Sequence, residues 1–470
     1  MWHSEFAKTL NEPQKGGLFP MAECNQQSFQ FEGHFSRQVT AQFNGGQQTS
    51  DAGGLLLREA DRRLNLLQRF AGCFVDGRNQ ERIEHSVGEM TAQRVYAMAL
   101  GYEDLNDHEQ LRYDPLLSLM AGRKDPGEAL AGKSTLNRLE LSTKETSRYK
   151  KILFDEERMD RLMVDIFLES YSKAPVQIVL DLDSTDFAIH GRQEGRFFHG
   201  FYDHYCYLPL YIFCESQLLC ARLRKSNIDG AAGSLEEVQR IVQQIRQRWP
   251  NVRIILRADS GFCRDEMMSW CEANTVDFVF GLARNSRLED LLTPQLEQAA
   301  AEFARTKQRV RIFTEFEYST LNSWSRSRRV IGKAEHIEGK SNPRFVVTSV
   351  SVPEWTPQQL YENFYCARGD MENRIKEQLS LFADRVSAET MRANQLRMYF
   401  SAMAYILVDG LRRLALTGTE MANAQVATIR LRLLKIGAQL KISVRRIWIS
   451  MASSFPRQQI FQHALAALRC

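Results

Sequence analysis

Acidic residues stand at the ends of two segments that have the composition of buried β-strands. Asp181 and Asp183 end the apolar, β-branched run VQIVLDLD (176–183), and Asp259 ends VRIILRAD (252–259). Carboxylates at strand ends, followed by turns, commonly form sites for hard cations such as Mg²⁺, which prefers oxygen ligands. Residues two apart on a strand point to the same face, so Asp181 and Asp183 are alternative first ligands. The pattern indicates divalent-metal chemistry at one edge of a sheet.

A third group of chemistry-bearing side chains lies on a predicted helix near residue 370. Four of them recur at a spacing that places them on one helical stripe: Tyr365, Arg368, Glu372 and Lys376. Glu372 is suited to complete a metal site, and Arg368 and Lys376 are suited to hold phosphates. Taken alone, such a stripe is more often a solvated helix face, and a strand-end Asp is more often a turn former. The combination of three acids on three elements favours a functional site.

The elements that carry these acids alternate between strands and helices. After the first strand, 207–224 predicts two strands around a turn, and 234–249 predicts an amphipathic helix with Ser234 as N-cap. The strand 252–259 follows, and after a second helix the segment 276–283 predicts another strand. This order favours a mixed α/β sheet with helices packed on it.

The rest of the chain differs in texture from this α/β segment. The apolar spacing before residue 174 and after 385 is helical, whereas 300–352 alternates apolar and polar residues as antiparallel strands do. Thr356 and Gln359 predict a capping box at the start of the helix that carries Glu372. The predicted divisions are a polar arm 1–50, a helical domain 51–174, a sheet domain 175–299, a β-insert 300–352, a final helix 353–384 and a basic helical region 385–470.

Composition narrows the class of protein. The chain has 470 residues, of which 44% are apolar and 25% charged, which is ordinary for a folded globular protein. Nine scattered cysteines without a C-x-x-C pair argue against a disulfide framework and a structural zinc site and favour a reducing compartment. Because no apolar run has the length of a membrane helix, we expect a cytoplasmic protein without a membrane partner. Met21 is an alternative to Met1 as the start.

Three motifs, taken in order, resemble those of the DDE transposases of bacterial insertion sequences, most closely the insertion-sequence thirteen-eighty group, a relative of the insertion-sequence-four group. They are Asp183-Ser184-Thr185, Asp259-Ser260-Gly261-Phe262 and Tyr365-x-x-Arg368-x-x-x-Glu372. The fragments RADSGF, RRVIGKAEH and ARGDMENRIKE add to the resemblance. It implies an α/β ribonuclease-H-like catalytic core with a β-strand insert, plus all-α N-terminal and C-terminal regions.

The resemblance also implies roles for single residues. Asp183, Asp259 and Glu372, here called the candidate triad, match the metal-binding acids of the family, with Asp181 as the alternative first Asp. Tyr365 and Arg368 match its Tyr-Arg-Glu-Lys signature. The signature Lys normally follows the Glu by seven residues, where this chain has Leu379, and Lys376 lies one turn earlier on the same face. Whether Lys376 replaces it stays open.

The implied activity is cleavage of DNA at insertion-sequence ends and joining of the 3′-OH ends to target DNA. Two Mg²⁺ ions, for which Mn²⁺ can substitute, would bind the scissile phosphate at the candidate triad. The expected partners are double-stranded DNA with terminal inverted repeats, target DNA and a second copy of the chain in the DNA complex. In a bacterial cell the protein would be associated with the nucleoid.

Several basic and aromatic residues are predicted DNA contacts. Trp324, beside Arg326, Arg328 and Arg329, is suited to stack on a flipped base, although packing within the insert is an equally strong interpretation. From residue 411 to 470 ten basic residues face one acid, which leaves a net charge of +9 within a chain of net +4. Phosphate neutralisation favours such a surface. The contacts predicted in this region are Arg430, Arg432, Lys435, Arg445 and Arg446.

Two enzymatic alternatives and one non-enzymatic alternative accompany this hypothesis. The first enzymatic alternative is a ribonuclease-H-like nuclease without strand transfer. The non-enzymatic alternative is a domesticated DNA-binding protein. An ATPase is suggested by Gly127–Ser134, which matches the phosphate-binding pattern G-x-x-x-x-G-K-[ST]. However, Arg-Lys-Asp-Pro precedes it where a buried strand is needed. We therefore expect no ATP binding, and we expect Ser134 to cap a following helix.

Overall fold

A computed structural model describes residues 28–351 and 354–469. The strands are β1 Phe29–His34, β2 Arg37–Ala41, β3 Gln47–Thr49, β4 Phe74–Asp76, β5 Ile152–Phe154, β6 Gln177–Ser184, β7 Phe187–Ala188, β8 Phe197–His199, β9 His204–Tyr207, β10 Leu210–Cys214, β11 Gln217–Arg222, β12 Arg253–Ala258, β13 Asp277–Leu282, β14 Val310–Tyr318, β15 Arg328–Ile337, β16 Lys340–Ser341, β17 Arg344–Thr348, β18 Ala438–Ile442 and β19 Ile447–Met451. The α-helices are α1 Gly54–Leu64, α2 Leu66–Ala71, α3 Val87–Leu100, α4 His108–Leu111, α5 Pro115–Met120, α6 Lys133–Glu140, α7 Glu156–Glu169, α8 Ser234–Arg248, α9 Asp265–Ala273, α10 Ser286–Thr306, α11 Pro357–Gln359, α12 Gly369–Ser380, α13 Met391–Ala415, α14 Val426–Ile429 and α15 Gln458–Arg469.

A large mixed sheet forms the centre of the molecule. Its strand order is β11-β10-β6-β12-β13-β17-β15-β14, with β16 paired to β15. β12 runs parallel to β6 and to β13, whereas the hairpin β10–β11 and the strands β14, β15 and β17 pair antiparallel. The strands predicted from VQIVLDLD, the hairpin segment, VRIILRAD and VDFVFGLA are confirmed, and with them a mixed α/β fold.

Helices cover both faces of the sheet because its central strands are apolar on both sides. Leu180 and Leu256 belong to one core cluster with Val238 of α8. Ile255, which follows on the opposite face of β12, packs in another cluster with Leu360. Each fully buried side chain of this size contributes about 1.5–3 kcal/mol. The sheet is thereby fixed as the rigid element that positions its strand ends.

Helix α13 joins the N-terminal helices to the sheet. It contacts α1, α3 and α15 on one side and strand β11 on the other. The Gln395 side chain exchanges hydrogen bonds with the backbone of β11, donating to Ala221 O at 3.0 Å and accepting from Leu223 N at 2.7 Å. The Tyr405 hydroxyl donates to Ser216 O at 2.6 Å. Within the described ranges, no helix is both long and apolar enough to cross a membrane.

Two terminal regions differ from the predictions. Residues 1–27 of the predicted arm lie outside the described part, but 29–41 form a β-hairpin and β3 joins a sheet with β18 and β19. The predicted all-helical C-terminal region is therefore wrong, because 438–451 is a hairpin between helices. The N-terminal domain is also not all-helical, since β4 pairs with β5.

The segment predicted as a β-insert, 300–352, contains four strands and the end of a helix. Its strands are present, but they do not form a separate unit, because β17 pairs directly with β13 and extends the central sheet. The segment also begins inside a helix, since α10 runs from Ser286 to Thr306. The insert thus adds antiparallel strands to one edge of the sheet and covers them with α10.

The helix starts test the predicted caps. The capping box of Thr356 and Gln359 is present. Ser234 does not cap α8, because Gly233 holds the N-cap position and the Glu237 side chain pairs with Arg222 and Arg240 instead. The predicted cap at Ser134 is also wrong, since α6 begins after Gly132.

A buried ion-pair cluster holds α12, the helix that carries Glu372. Glu377 of α12 is 3% exposed and accepts from Arg412 of α13 at 2.9 Å and from the Val426 amide at 2.8 Å. Arg412 also donates to Asp409 at 2.7 Å. Because all three charges are buried, the arrangement of α12 against α13 depends on this pairing.

We expect Arg412→Met to lower the free energy of unfolding by about 3–5 kcal/mol, since it removes the buried cation that Glu377 and Asp409 share and leaves them only the partly exposed Arg374 and Arg413. Urea denaturation measures the change. The control is Arg413→Met, which removes a partly exposed arginine that pairs with Asp409 and should cost about 1 kcal/mol or less. Equal losses in the two variants would contradict a structural role for the buried cluster.

Candidate functional site

The register of the two central strands brings Asp183 and Asp259 to the same edge of the sheet. β6 and β12 are adjacent and parallel, and Leu182 pairs with Ala258. Asp183 follows Leu182 directly, and Asp259 follows Ala258. Side chains at the carboxyl ends of parallel neighbours face a common crevice, so these carboxylates meet because of the sheet topology alone.

Arg368 connects the strand edge to Glu372. Its guanidinium donates to Asp183 Oδ2 at 3.2 Å and lies 3.7 Å from Glu372 Oε1. Burial by itself lowers the pKa of Arg368, but Asp183, Tyr365, Asp259 and Glu372 raise it, and the net direction is upward. The guanidinium is therefore a fixed cation among the carboxylates of the candidate triad.

The pKa of Asp183 is raised to about 6, chiefly by burial. The Arg368 charge lowers this pKa, whereas the carboxylates of Asp259 and Glu372 raise it. Like charges that share a site disfavour ionisation of each other. The edge of the sheet therefore holds more negative charge than one arginine compensates, which is the electrostatic condition for binding a cation.

Asp259 and Tyr365 lie where the Asp259 turn and the Tyr365 side chain closely approach the backbone of β13. Asp259 Oδ1 accepts from the Gly261 amide at 2.8 Å and begins a 3₁₀ turn. A Cβ atom at Gly281 of β13 would lie 2.5 Å from the Tyr365 hydroxyl and 2.9 Å from Ser260 N. A side chain at 281 would thus displace both the Asp259 turn and Tyr365.

Asp181 and Asp183 occupy different environments although they share a face of β6. Asp181 is buried and both of its oxygens accept from Arg257, at 2.5 and 2.7 Å. Arg257 also donates to Phe364 O at 2.6 Å, so the pair fixes the helical segment before Tyr365 on the sheet. This engagement favours Asp183 over Asp181 as the free carboxylate at the sheet edge.

The helical segment that carries the predicted stripe is irregular. A π-helical stretch, Leu360–Tyr365, is followed by a 3₁₀ turn, Cys366–Arg368, before α12 begins. The regular α-helix that was predicted over this stretch is therefore wrong. Arg368 nevertheless reaches both Asp183 and Glu372, and Lys376 is exposed one turn beyond Glu372.

The donor set of this site is suited to a hard cation. Three carboxylates lie around Arg368, and burial, with a smaller effect of the other two carboxylates, raises the pKa of Asp183. Carboxylate oxygens are the ligands that Mg²⁺ prefers. In residues 28–351 and 354–469, no three His, Cys, Asp or Glu side chains already form a closed cluster that could hold an ion. Arg368 lies between Asp183 and Glu372 instead, so the acids would have to close around the ion.

Of the residues predicted to contact DNA in the insert, two are engaged inside the protein. Arg328 is buried and pairs with Asp265 and Glu272, both at 2.7 Å. Arg329 donates to Glu315 at 2.6 Å and to Val350 O at 2.7 Å. Their assignment as DNA contacts is corrected to internal ion pairing, because their donors are already bound.

Trp324 and Arg326 have different surroundings. The Trp324 ring packs edge-on against Tyr318, with ring centroids 5.7 Å apart, and the Arg328 guanidinium lies 5.5 Å from its centre. These contacts support the interpretation in which Trp324 packs within the insert. Arg326 is exposed, with its nearest acid, Glu272, at 3.4 Å.

The C-terminal basic residues also divide into internal and exposed ones. Arg430 donates to Ala99 O at 3.0 Å and so caps the carboxyl end of α3, and Lys435 pairs with Asp51 at 2.5 Å. Arg430 is therefore corrected from a DNA contact to a structural residue, and Lys435 is at least partly committed to Asp51. Arg432, Arg445 and Arg446 are exposed.

The hairpin β18–β19, here called the basic hairpin (438–451), presents an outward face that the sequence analysis missed. Ala438, Leu440, Ile449 and Met451 alternate toward the core, whereas Lys441 pairs across the strands with Trp448 and both are exposed. Arg445 and Arg446 lie at its tip. The period-two alternation of AQLKI and IWISM was the available signal.

A second group was missed beside the candidate triad. His204 bonds with Asp186 at 2.8 Å, and the pKa of Tyr202 is raised by burial and by Asp186, Asp183 and Asp259. The aromatic density of FFHGFYDHYCY was the signal that pointed to this group.

Acids at the carboxyl edge of a parallel strand pair define a class of α/β proteins that bind their ligands at that edge. The family model for the transposase DDE domain, group 1, matches residues 31–470, and the chain belongs to this family of DDE transposases. A cryo-EM structure of a piggyBac transposase synaptic complex with hairpin DNA is similar with a TM-score of 0.39 and 12% sequence identity, over 82% of this chain and 80% of that chain. The curated proteins include no match.

The raised pKa of Asp183 predicts a pH-dependent penalty on folding. Its native pKa of about 6 exceeds the ordinary value of 3.8, so the native state binds the proton more tightly and ionisation destabilises it as the pH rises through that window. In metal-free buffer we expect Asp183→Asn to raise the free energy of unfolding by up to about 3 kcal/mol at pH 7.5 and by little near pH 4.

Urea denaturation at the two pH values measures this change. The control is Asp370→Asn, an exposed acid on the same helix as Glu372, which should change the stability by about 0.5 kcal/mol or less. A destabilising effect of Asp183→Asn at pH 7.5 would contradict an excess of negative charge at the site.

Proposed function

We propose that this chain cuts DNA at the ends of a bacterial insertion sequence of the thirteen-eighty group and joins the 3′-OH ends to target DNA. The motifs around Asp183, Asp259 and Glu372 support that grouping, and membership of the DDE transposase family supports the transposase activity. The strand order β11-β10-β6-β12-β13, with β10 and β11 antiparallel and β12 and β13 parallel to β6, supports a ribonuclease-H-like core. The insert strands β14 to β17 then precede the helix of the last acid.

One observation carries the proposal. Asp183 and Asp259 end adjacent parallel strands, and Arg368 links Asp183 to Glu372. Three acids from distant parts of the sequence therefore lie around one arginine. A fold without a function at this edge would have no reason to keep a partly buried carboxylate beside two others, because the pKa of Asp183 indicates that its charge is disfavoured.

In this proposal Asp183, Asp259 and Glu372 hold divalent cations, with Mg²⁺ as the physiological metal and Mn²⁺ as a substitute. The bound metal would polarise a phosphate and activate water or a 3′-OH. Arg368, released from the carboxylates, is positioned to bind a phosphate oxygen, for which its planar guanidinium is well suited. The phenol of Tyr365 lies against the Asp259 turn and orients it.

The basic hairpin is the proposed non-specific DNA surface. Its face combines Lys441 and Trp448 with the tip residues Arg445 and Arg446, and basic side chains next to an exposed aromatic are typical of nucleic-acid surfaces. Arg432 and Arg326 are exposed and stay proposed contacts. Because two DNA ends are joined in one event, we propose that a homodimer forms in the DNA complex.

Cleavage and joining test the function directly. With linear DNA that carries the terminal inverted repeats of the element and with Mg²⁺, we expect wild-type protein to produce strand-transfer products. Asp183→Ala, Asp259→Ala and Glu372→Ala should each reduce the rate about a hundredfold or more, because each removes a metal ligand. Asp370→Ala, two residues before Glu372 and exposed, is the matched control and should retain activity.

The other outcomes identify the alternatives. Nicking without joined products would support a nuclease without strand transfer. Binding without cleavage by the wild-type chain would support a domesticated DNA-binding protein. Full activity of a triad variant would overturn the assignment of that residue.

The role of the basic hairpin has its own measurement. The double variant Arg445→Ala, Arg446→Ala should lower the slope of log K against log salt concentration by about two, because each phosphate contact contributes about 0.9 to that slope. Arg430→Ala is the control: it removes one charge whose guanidinium caps α3 and should leave the slope unchanged. An unchanged slope in the double variant would contradict the proposed surface.

A further inference from the structure

The chain segment that connects β6 to β10 forms a small sheet, which takes no part in the chemistry proposed above. Its strands β7, β8 and β9 are antiparallel, with β9 in the middle. The hairpin β8–β9, residues 197–207, is here called the aromatic hairpin. Its position beside the candidate triad follows from three contacts.

These contacts tie the aromatic hairpin to the chain that leaves Asp183. His204 bonds with Asp186 at 2.8 Å. The Ile189 amide donates to Tyr205 O at 2.8 Å, and β7 pairs with β9 only a few residues after Asp183. Tyr202 is close enough to the triad that Asp183 and Asp259 raise its pKa, after the larger effect of burial. The tip of the aromatic hairpin therefore lies next to the acids.

The aromatic hairpin exposes rings that the fold does not use. Phe201 at the tip is 85% exposed, and Phe198 is 53% exposed. Phe198 meets Tyr205 across the strands edge-on, with ring centroids 5.6 Å apart, and the guanidinium of Arg196 lies 3.8 Å from the centre of the Tyr205 ring. Large exposed aromatic groups on a monomer usually mark a binding surface.

The turn at the tip is held in one conformation. The Asp203 amide donates to His199 O at 2.9 Å, and Asp203 adopts a left-handed φ of 58°. The Phe201 ring packs edge-on against Tyr202, with centroids 5.0 Å apart. Phe201 is thus presented to solvent by a defined turn.

The area and the charge indicate what covers these rings. The four exposed aromatic side chains of the hairpin, Phe197, Phe198, Phe201 and Tyr205, present roughly 300–550 Å² in total, whereas a stable protein interface buries about 800 Å² per partner. A nucleobase needs only one or two rings. The Arg196 guanidinium supplies a positive charge next to the rings, which a phosphodiester backbone complements.

We propose that the aromatic hairpin stacks an unpaired nucleobase of the DNA strand next to the phosphate held at the candidate triad, with Phe201 as the principal ring and Phe198 and Tyr205 as the flanking face. This inference rests on the proposed function for the position of that phosphate. It moves base stacking from Trp324, whose ring is packed against Tyr318, to a segment before the second acid. Every base has a π-face, so the site would accept bases of any sequence.

The test uses a short DNA duplex with a single-stranded overhang whose first unpaired base is 2-aminopurine, whose fluorescence is quenched by stacking. Ca²⁺ replaces Mg²⁺ to prevent cleavage. We expect saturating wild-type protein to quench the probe and Phe201→Ala to abolish most of the quenching. Phe201→Ala should also weaken binding of the overhang duplex about tenfold relative to a blunt duplex, and Phe201→Trp should retain both properties.

The matched control is Phe35→Ala, which removes a phenylalanine that is 93% exposed at the turn of another hairpin with exposed aromatic rings, β1–β2. Its quenching should equal that of the wild type. Undiminished quenching in Phe201→Ala would overturn the proposal. If that variant also lost a dimer that the wild type forms without DNA, the rings would serve a second copy of the chain instead.

The two proposals fail in different ways. Asp259→Asn should not cleave DNA but should still quench the probe. A chain that cuts and joins DNA while Phe201→Ala quenches normally would refute only the stacking proposal. A chain that quenches through Phe201 but never cuts DNA would refute only the transposase activity.

Discussion

The accumulation of negative charge at one edge of the central sheet is the constraint on which the rest of the structure depends. Asp183 is partly buried next to Asp259 and Glu372, and Arg368 compensates only part of their repulsion. Such an arrangement is unfavourable in a low-dielectric environment unless a cation or a rigid scaffold maintains it. The register of β6 and β12 supplies that scaffold, since it forces the two Asp residues to be neighbours.

Other parts of the fold hold the third acid in reach. The Asp181–Arg257 pair fixes the segment before Tyr365 on the sheet, and the cluster around Glu377 fixes α12 on α13. Gly281 allows the Tyr365 hydroxyl and the Asp259 turn to approach β13 closely. Each of these contacts restricts which residues the sequence can have there, and each fixes the geometry at the sheet edge, as expected of a functional site.

The sequence predicted the central strands because buried apolar runs are a local pattern. The candidate triad, which stays a proposal, came from acids at two strand ends, an acid on a helix and the resemblance to a family. The sequence predicted the DNA contacts less well, because a count of charges does not reveal which arginines already have partners. Arg328 and Arg430 illustrate this, since their acceptors are distant in sequence. The basic hairpin was missed because short alternating strands were outweighed by the surrounding helical pattern. The irregular turns before α12 depend on tertiary packing, which periodicity does not encode.

The central claim is that the candidate triad is a divalent-metal site. Electron paramagnetic resonance of Mn²⁺ titrated into the DNA-free, full-length protein at pH 7.5 tests it most directly. Wild-type protein and the Asp370→Ala control should bind Mn²⁺, and Asp183→Ala and Asp259→Ala should lose most of that binding, because each removes a carboxylate ligand. Mn²⁺ binding by both triad variants with wild-type affinity would contradict the account.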